Sequence, residues 1–365
     1  MFNNIFKDKT VLITGHTGFK GSWLSVWLNS LGAKVVGVSI DLPSTPSNFS
    51  SLSMENVMKD NRMDIVDLVS VKSLVKDCQP DFVFHLAAQA LVRPSYKDPI
   101  DTIKTNAIGT ANVLEAIRSL DKRVSVIMIT SDKAYDNVEW VWGYRETDRL
   151  GGKDPYSASK GMAELAINSY VKSFFNDDLD VRIGIVRAGN VIGGGDWAVD
   201  RIVPDCIRAW SLGESVDIRS PHATRPWQHV LEPLSGYLHL AQKLYDSRVY
   251  HGEAYNFGPP MHQDYSVGRL INEMAKYWDR VKWNDVSSVN HVHEAGLLKL
   301  NCDKALFDLN WQPVLDFEKT VKMTVEWYRQ FYQNSNNSMY EYTVSQIRSY
   351  EAAAKLTNNP WASND

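Results

Sequence analysis

Two short polar segments carry the side chains best suited to chemistry. The segment SDK, Ser131 to Lys133, follows the apolar run VSVIMIT and places an acid beside a base. Further along, YSASK places Tyr156 and Lys160 four residues apart, so both lie on one face of a helix. A lone tyrosine has a pKa of about 10, but a nearby ammonium stabilises the phenolate and lowers that pKa. Tyr156 could then remove a hydroxyl proton while a hydride leaves the same carbon.

The segment GHTGFKG has the spacing of a dinucleotide-binding turn, with Gly15, Gly18 and Gly21 between a strand and a helix. Gly15 allows a tight turn, Gly18 lets the backbone approach a pyrophosphate, and the helix N-terminus favours its negative charge. Asp41 ends the second strand, where a carboxylate accepts both ribose hydroxyls and repels a 2′-phosphate, so NAD is predicted rather than NADP. Asp64 fits an acid near the adenine. The alternatives are a plain strand–helix turn for the glycines, a helix cap or a loop acid for Asp41, and a solvated loop carboxylate for Asp64.

Elements that could position these residues alternate along the first half of the chain. Apolar runs predict strands at 10–15, 34–40, 81–88, 124–130 and 181–187, and helical patterns lie at 19–31, 70–78, 99–119 and 158–175. Near-continuous apolar runs are typical of parallel strands that are covered on both faces. The pattern predicts an α/β fold, a Rossmann-type doubly wound parallel sheet with a smaller C-terminal substrate-binding lobe.

The pattern becomes less regular beyond residue 188, where a glycine-rich segment begins. We expect an NAD-binding Rossmann domain over 1–187, to which segments from about 220–250 can return. Residues 188–333 would form mainly the substrate-binding lobe, and 334–365 a linker and a C-terminal helix.

Composition excludes several classes of function. The chain has 365 residues, of which 44% are hydrophobic and 22% are charged, as is usual for a soluble globular enzyme. A net charge of −4 gives no sign of the basic surface that nucleic-acid-binding proteins carry. The cysteines and histidines lack metal-ligand spacing, so no metal site is expected. No signal-peptide pattern and no run of ~20 apolar residues is present, and we expect a cytoplasmic protein without membrane contact.

Several motifs together resemble a known family. TGHTGFKG, HLAAQ, TSDKAY and YSASK resemble the sugar-nucleotide branch of the extended short-chain dehydrogenase/reductase family, over roughly residues 8 to 330. The segments RAGNVIGGGDW and RPWQHV are similar to substrate-binding segments of that branch. In detail, GHTGFKGSWL, SDKAY and HEAGLLKLNCDKA are most similar to the CDP-glucose 4,6-dehydratases. That resemblance implies bound NAD and conversion of CDP-D-glucose to CDP-4-keto-6-deoxy-D-glucose, on the route to O-antigen dideoxy sugars.

The resemblance also gives the SDK segment a part in the elimination of water. Ser131 would hydrogen-bond the sugar 4-oxygen, and Asp132 would be the acid that protonates the departing 6-hydroxyl. Lys133 stands where related dTDP-glucose dehydratases carry a glutamate that acts as the base at C5. A lysine acts as a base only if its pKa falls by several units, whereas a charged lysine stabilises the enolate instead. The sequence leaves both roles open, together with a simple Asp132–Lys133 pair at the strand end.

The remaining site residues are implied by the same resemblance. Further cofactor contacts would be Thr17, Phe19, Ile65, Leu86, Ala87, Ala88 and Thr105, beside Tyr156 and Lys160. Substrate contacts would be Gln89, Asn190, Arg201, Arg219, Arg225 and His293. Arg225, in RPWQHV, best matches the phosphate-binding arginine of that branch, because a guanidinium fork suits phosphate oxygens.

The helix that follows VRPSYKDP matches one that packs against a partner subunit in the sugar-nucleotide branch. With the Tyr156 helix it would form a four-helix interface, so a homodimer or homotetramer is expected, although packing on its own sheet explains its apolar positions equally well. Three other functions stay open: a 4-epimerase or reductase, a dehydratase for another nucleoside diphosphate glucose, and a non-catalytic NAD-binding regulatory protein. The intact Tyr156–Lys160 pair disfavours the last of these, and the acid–base pair at 132–133 favours elimination over epimerisation.

Overall fold

The computed structural model describes residues 1–176, 179–261, 263, 265–287, 297–333 and 338–363. Its strands are β1 (Thr10–Thr14), β2 (Lys34–Ser39), β3 (Lys59–Arg62), β4 (Phe82–His85), β5 (Val124–Ile129), β6 (Val181–Ala188), β7 (Val191–Ile192), β8 (Val216–Ile218), β9 (Thr224–Arg225), β10 (Gln228–His229), β11 (Ala254–Phe257), β12 (Tyr265–Ser266) and β13 (Trp283–Asp285). Its α-helices are α1 (Phe19–Ser30), α2 (Asn48–Ser51), α3 (Leu68–Cys78), α4 (Val92–Lys97), α5 (Pro99–Ile103), α6 (Gly109–Ile117), α7 (Pro155–Phe174), α8 (Ile202–Ser211), α9 (Leu231–Asp246), α10 (Val267–Met274), α11 (Asp303–Leu309), α12 (Phe317–Gln333) and α13 (Met339–Leu356). A π-helical turn, Lys104–Ile108, joins α5 to α6.

The centre of the fold is a seven-stranded sheet in the order β11-β6-β5-β4-β1-β2-β3. All neighbouring strands in it are parallel. The strand order reverses between β1 and β4, which in open α/β sheets opens a ligand crevice at the carboxyl ends of the strands. The predicted Rossmann-type doubly wound α/β fold is therefore confirmed.

Helices cover both faces of the sheet and explain its near-continuous apolar strands. On one face α3, α6 and α7 bury side chains such as Leu114 and Ile167 against Val126. On the other face α1 and α9 bury Trp27 and Leu234 in a second, larger cluster. Because strands in the middle of the sheet touch both layers, every residue of β5 is buried.

The edge strand β3 was missed by the sequence analysis. Its sequence is KDNR, and its residues are exposed or half-buried. It pairs with β2 alone, through backbone hydrogen bonds. An edge strand needs no apolar side chains to be held in register, so its polar composition gave no strand signal.

Part of the second half of the chain returns to the sheet. Strand β11 pairs with β6 at the sheet edge, and α9 packs on β5 and β6. Residues 231–257 therefore belong to the same layers as the first half. The proposed division into an NAD-binding domain and a substrate-binding lobe stays a prediction.

The C-terminal helix α13 is built into the core. Glu351 accepts a hydrogen bond from Trp27 Nε1 at 2.8 Å, and the Tyr350 hydroxyl donates to Glu232 at 2.7 Å. Trp361 then stacks on Phe2 with ring centroids 5.1 Å apart. Residues 334–337 of the predicted linker lie outside the described residues.

The described part of the chain contains neither a membrane-spanning helix nor a metal-binding cluster. No helix there is long and apolar enough to cross a membrane. No group of three or more His, Cys, Asp or Glu side chains there could hold a metal ion.

Candidate active site

A chamber, which is a cavity of about 1350 Å³, lies at the carboxyl ends of the strands. It is lined by every predicted site residue in the described ranges: Gly15, Thr17, Gly18, Phe19, Gly21, Asp41, Asp64, Ile65, Leu86, Ala87, Ala88, Gln89, Thr105, Ser131, Asp132, Lys133, Tyr156, Lys160, Asn190, Arg201, Arg219 and Arg225. His293 lies outside the described residues. The topological switch point thus brings together residues that are far apart in sequence.

The β1–α1 turn has the shape that a dinucleotide requires. Gly15 has a φ of +76°, and a Cβ there would lie 2.7 Å from the Ala87 nitrogen. A Cβ on Gly21 would lie 2.2 Å from the Gly15 carbonyl oxygen. Gly18 is the N-cap of α1 and has no side chain to cap it, so first-turn N–H groups face an incoming anion. The turn fits a pyrophosphate.

The two acids predicted near the adenosine differ in their contacts. Thr17 Oγ1 donates to the Asp41 carbonyl at 2.7 Å, which fixes the backbone there. The Asp41 carboxylate is exposed and makes no hydrogen bond with any described residue, so it can accept ribose hydroxyls. One oxygen of Asp64 instead accepts from the Val66 nitrogen at 2.9 Å, and that acid is partly engaged by its own turn.

Helix α7 carries the tyrosine and the lysine. Asp154 caps the helix by accepting from the Ser157 nitrogen at 2.9 Å, and Pro155 begins its first turn. Tyr156 and Lys160 follow on successive turns, and both are buried. The cap therefore sets the position of Tyr156 at the chamber.

Burial dominates the titration of this pair. It raises the pKa of Tyr156; the Ser131 side chain and the charge of Arg201 oppose this rise, and the charge of Asp132 adds to it. Burial also lowers the pKa of Lys160 to about 8, which the neighbouring Glu164 opposes. The expected effect of Lys160 on the Tyr156 pKa stays a prediction, because Ser131 and Arg201 are the main groups that lower it here.

The SDK segment forms a 3-10 turn after β5. Ser131 accepts from the Lys133 nitrogen at 3.2 Å and donates to Asp132 Oδ1 at 3.0 Å. Burial raises the pKa of Asp132, against the opposing charge of Lys133. The two side chains form no ion pair with each other, so the structure does not support a simple pair at the strand end. A buried carboxyl with a raised pKa is suited to donate a proton.

Gly189 makes room for that carboxyl. A Cβ at this position would lie 2.2 Å from Asp132 Oδ2. The glycine of the segment RAGN is therefore needed for close packing against the acid.

Two lysines lie near Asp132 on the chamber wall, Lys133 and Lys20. Lys133 is half-buried, and its ammonium makes no hydrogen bond or ion pair with any described residue. Lys20, which the sequence analysis missed, also lines the chamber; burial and the charge of Arg201 lower its pKa to about 8. The sequence feature that could have identified Lys20 is its position between the second and third glycines of the turn.

The three predicted substrate-binding arginines all line the chamber. Arg201 Nη1 donates to Asp196 at 2.7 Å. Arg219 lies 3.8 Å from Asp200, and Arg225 donates to the Thr224 carbonyl at 2.7 Å. The wall therefore offers several guanidinium groups to an anionic ligand.

Gln89 has its amide occupied by its own loop. Its Nε2 donates to the Leu91 carbonyl and to Thr102 Oγ1, both at 3.0 Å. Its Oε1 accepts from the Leu91 nitrogen at 2.6 Å. A contact with a sugar would require one of these bonds to be given up.

The sheet order, the glycine turn and the Tyr156–Lys160 pair define an extended short-chain dehydrogenase/reductase. A family model described as GDP-mannose 4,6 dehydratase matches residues 12–324, and the chain belongs to that family.

Individual relatives narrow the comparison. The chain is 46% identical over 331 residues to a CDP-glucose 4,6-dehydratase of Salmonella typhimurium, covering 89% of this chain and 92% of the relative. It is 26% identical over 344 residues to a dTDP-glucose 4,6-dehydratase of Haemophilus influenzae, covering 87% and 97%. A solved dTDP-glucose 4,6-dehydratase from Streptomyces venezuelae with NAD bound matches at a TM-score of 0.73 and 20% identity, covering 88% and 97%. The predicted resemblance to sugar-nucleotide dehydratases is confirmed, and the structural match shows the shared fold.

The Gly189→Ala substitution tests the packing against Asp132. The added methyl group must displace the carboxyl, and a misplaced catalytic group costs about 100-fold in rate. We expect turnover of the nucleotide sugar to fall by about 10- to 100-fold, with little change in thermal unfolding. Gly268→Ala is the control, because a Cβ there meets nothing closer than 3.4 Å. Wild-type turnover in Gly189→Ala would show that the close contact is unimportant.

Proposed function

We propose that this chain is a hydro-lyase that converts CDP-D-glucose to CDP-4-keto-6-deoxy-D-glucose with NAD, in the biosynthesis of O-antigen dideoxy sugars. The observation that carries the proposal is the buried acid Asp132, whose pKa is raised, between Ser131 and Lys133 and beside Tyr156. The 46% identity to a CDP-glucose 4,6-dehydratase supports the choice of nucleotide.

The residues of the glycine turn fit NAD. The N-terminus of α1 at Gly18 would hold the pyrophosphate, and Asp41 would bind the adenosine ribose. Tyr156 and Lys160 would lie at the nicotinamide end. When bound, NAD supplies an acceptor for the hydride from C4 of the sugar and a donor for its return to C6.

Tyr156 acts first, as the base that takes the proton of the 4-hydroxyl. Burial disfavours its phenolate, whereas the nearby Ser131 side chain and the Arg201 charge favour the anion. Ser131 is also placed to hydrogen-bond the 4-oxygen as it becomes a carbonyl. The 4-ketone then makes the C5 proton acidic.

Elimination needs an acid for the departing 6-hydroxyl, and it needs a group that removes the C5 proton or stabilises the negative charge of the enolate. Asp132 protonates the departing 6-hydroxyl, which its raised pKa favours. Lys133 either removes the C5 proton as a neutral amine, or stays charged and stabilises the enolate while a water molecule takes that proton. A 4-epimerase of this fold needs no buried acid at this position, so Asp132 favours elimination.

Arginines on the chamber wall suit the diphosphate of the substrate. Arg201, Arg219 and Arg225 line the same cavity as Tyr156. One guanidinium group can donate two parallel hydrogen bonds to a phosphate, and such bonds would hold the sugar in one orientation. Asn190, in a left-handed conformation with a φ of 36°, lines the same cavity.

The product tests the proposed reaction. We expect incubation with CDP-glucose, without added reductant, to give the base-induced absorbance of a 4-keto-6-deoxy sugar. UDP-glucose and dTDP-glucose, tested in parallel, should react more slowly. Formation of a 4-epimer alone would make the dehydratase assignment wrong.

Three variants separate the steps of the reaction. Asp132→Asn and Lys133→Ala should allow C4 oxidation but stall elimination, so that reduced cofactor accumulates in a single turnover. Lys133→Arg keeps the positive charge but cannot act as a base. Activity in Lys133→Arg would assign electrostatic stabilisation, whereas a stall in both Lys133 variants would assign the base. Near wild-type turnover in Lys133→Ala would remove Lys133 from catalysis; Lys322→Ala, an exposed lysine on α12, is the control.

We also infer a homodimer through a four-helix interface. Ile100 and Ile108 in the 99–117 helical run are 60% and 51% exposed. Met162 and Leu165 on α7 are 42% and 62% exposed. Apolar side chains grouped on two adjacent helices are typical of a subunit interface. In a homodimer, these two helices of one subunit would bury the exposed apolar side chains on the same two helices of the other subunit.

Leu165→Asp tests that interface. A charge buried between subunits is costly, so the variant should dissociate toward the single-chain mass of 41.4 kDa in light scattering or sedimentation. Phe307→Asp is the control, because Phe307 is 90% exposed on α11. A monomeric wild type, or an unchanged mass in Leu165→Asp, would contradict the proposed interface.

A further inference from the structure

Helix α8 carries a row of charged side chains along the chamber wall. Arg201 is its N-cap, and Asp205 and Arg208 follow four and seven residues later. All three line the cavity. That spacing puts them on one helical face, at about 6 Å and about 10 Å along the axis from Arg201. Because the charge of Arg201 acts on Tyr156, the row leads away from the sugar end of the site.

Asp205 and Arg208 form the far end of the row as a pair. Arg208 Nη1 donates to Asp205 Oδ1 at 2.8 Å, and its Nη2 donates to the Trp197 carbonyl at 2.9 Å. Burial raises the pKa of Asp205 even though Arg208 opposes it. Among the described residues Arg208 is the only partner of that carboxylate, so its second oxygen can accept a further hydrogen bond.

The other carboxylates on this wall are less suited to a ligand. Their partners are Arg201 for Asp196, Arg93 and Arg219 for Asp200, and Asn284 for Asp217. Asp217 is also exposed on β8, whereas the strand buries Ile218 on its opposite face. Asp205 is therefore the acid best placed to bind a donor at this end of the chamber.

The surroundings of the pair suit a flat ring. Val216, Ile218, Trp227 and Val267 are apolar and line the same cavity, and β8, which carries Val216 and Ile218, packs on α8. Such surfaces accept the faces of a pyrimidine, while polar groups at the edge fix its orientation.

We propose that Asp205 and Arg208 bind the edge of the nucleotide base and select cytosine over uracil and thymine. The inference rests on the proposed function, since it assumes a CDP-sugar as substrate. Cytosine presents its N4 amino group beside the N3 acceptor, so Asp205 accepts from N4 and Arg208 donates to N3. Uracil and thymine carry an oxygen at position 4, which would face the carboxylate without a proton between them.

Asp205→Asn is the main test, because asparagine can accept from N4 or donate to O4. We would measure kcat/KM with CDP-glucose, UDP-glucose and dTDP-glucose, and the affinity of the NAD-loaded enzyme for CDP and UDP by calorimetry. The preference for CDP-glucose over UDP-glucose should fall by about 10- to 100-fold in Asp205→Asn, the range of one specific base contact. Arg208→Gln should reduce the same ratio.

Asp316→Asn is the matched control, since Asp316 forms an exposed pair with Lys319 at 3.0 Å and the same spacing outside the chamber. It should leave the ratio unchanged. Equal losses with all three substrates in Asp205→Asn, or an unchanged ratio, would overturn the inference and leave the dehydratase assignment standing. A wild-type enzyme that prefers UDP-glucose would overturn the proposed substrate as well.

Discussion

The arrangement of the site depends on one buried ion pair, between Arg187 on β6 and Glu164 on α7. Arg187 Nε donates to Glu164 Oε1 at 2.6 Å, and Nη2 bonds the second oxygen. The two residues are 2% and 0% exposed. Charges taken out of water are tolerated only when they are paired and fully hydrogen-bonded, so neither side chain can move without a large cost. The pair therefore fixes α7, and with it Tyr156, against the sheet.

The same pair holds the SDK segment. Thr130 Oγ1 donates to Glu164 at 2.6 Å, and Arg187 Nη1 donates to the Tyr135 hydroxyl at 2.6 Å. Thr130 and Tyr135 flank the SDK turn, so both of its ends are tied to the ion pair. Glu164 also lies one turn beyond Lys160 and opposes the fall of its pKa. One network thus sets the geometry of both segments and part of their electrostatics.

The sequence predicted those parts of the protein that depend on local pattern. The apolar runs, the glycine turn and the Tyr–Lys spacing each lie within a short window, and the fold they predicted is confirmed. Glu164 and Arg187 gave no such signal, because their pairing joins a helix to a strand 23 residues away. The edge strand β3 gave no apolar signal, because it is held by backbone pairing with β2 and by polar contacts such as that of Asp60 with His16. Lys20 could be recognised as a site residue only once the fold placed it beside Asp132. Asp205 could be recognised only once the fold placed it, paired with Arg208, on the chamber wall.

A dehydratase of this fold must keep an acid and a cation close without letting them neutralise each other. Asp132 and Lys133 are adjacent, and an ion pair between them would hold the acid deprotonated. The 3-10 turn prevents this, because successive side chains diverge by about 120°. Asp132 points into the space left by Gly189, while Lys133 faces the chamber. The proposed elimination would therefore depend on two side chains and one glycine, on a turn whose ends the buried ion pair already holds.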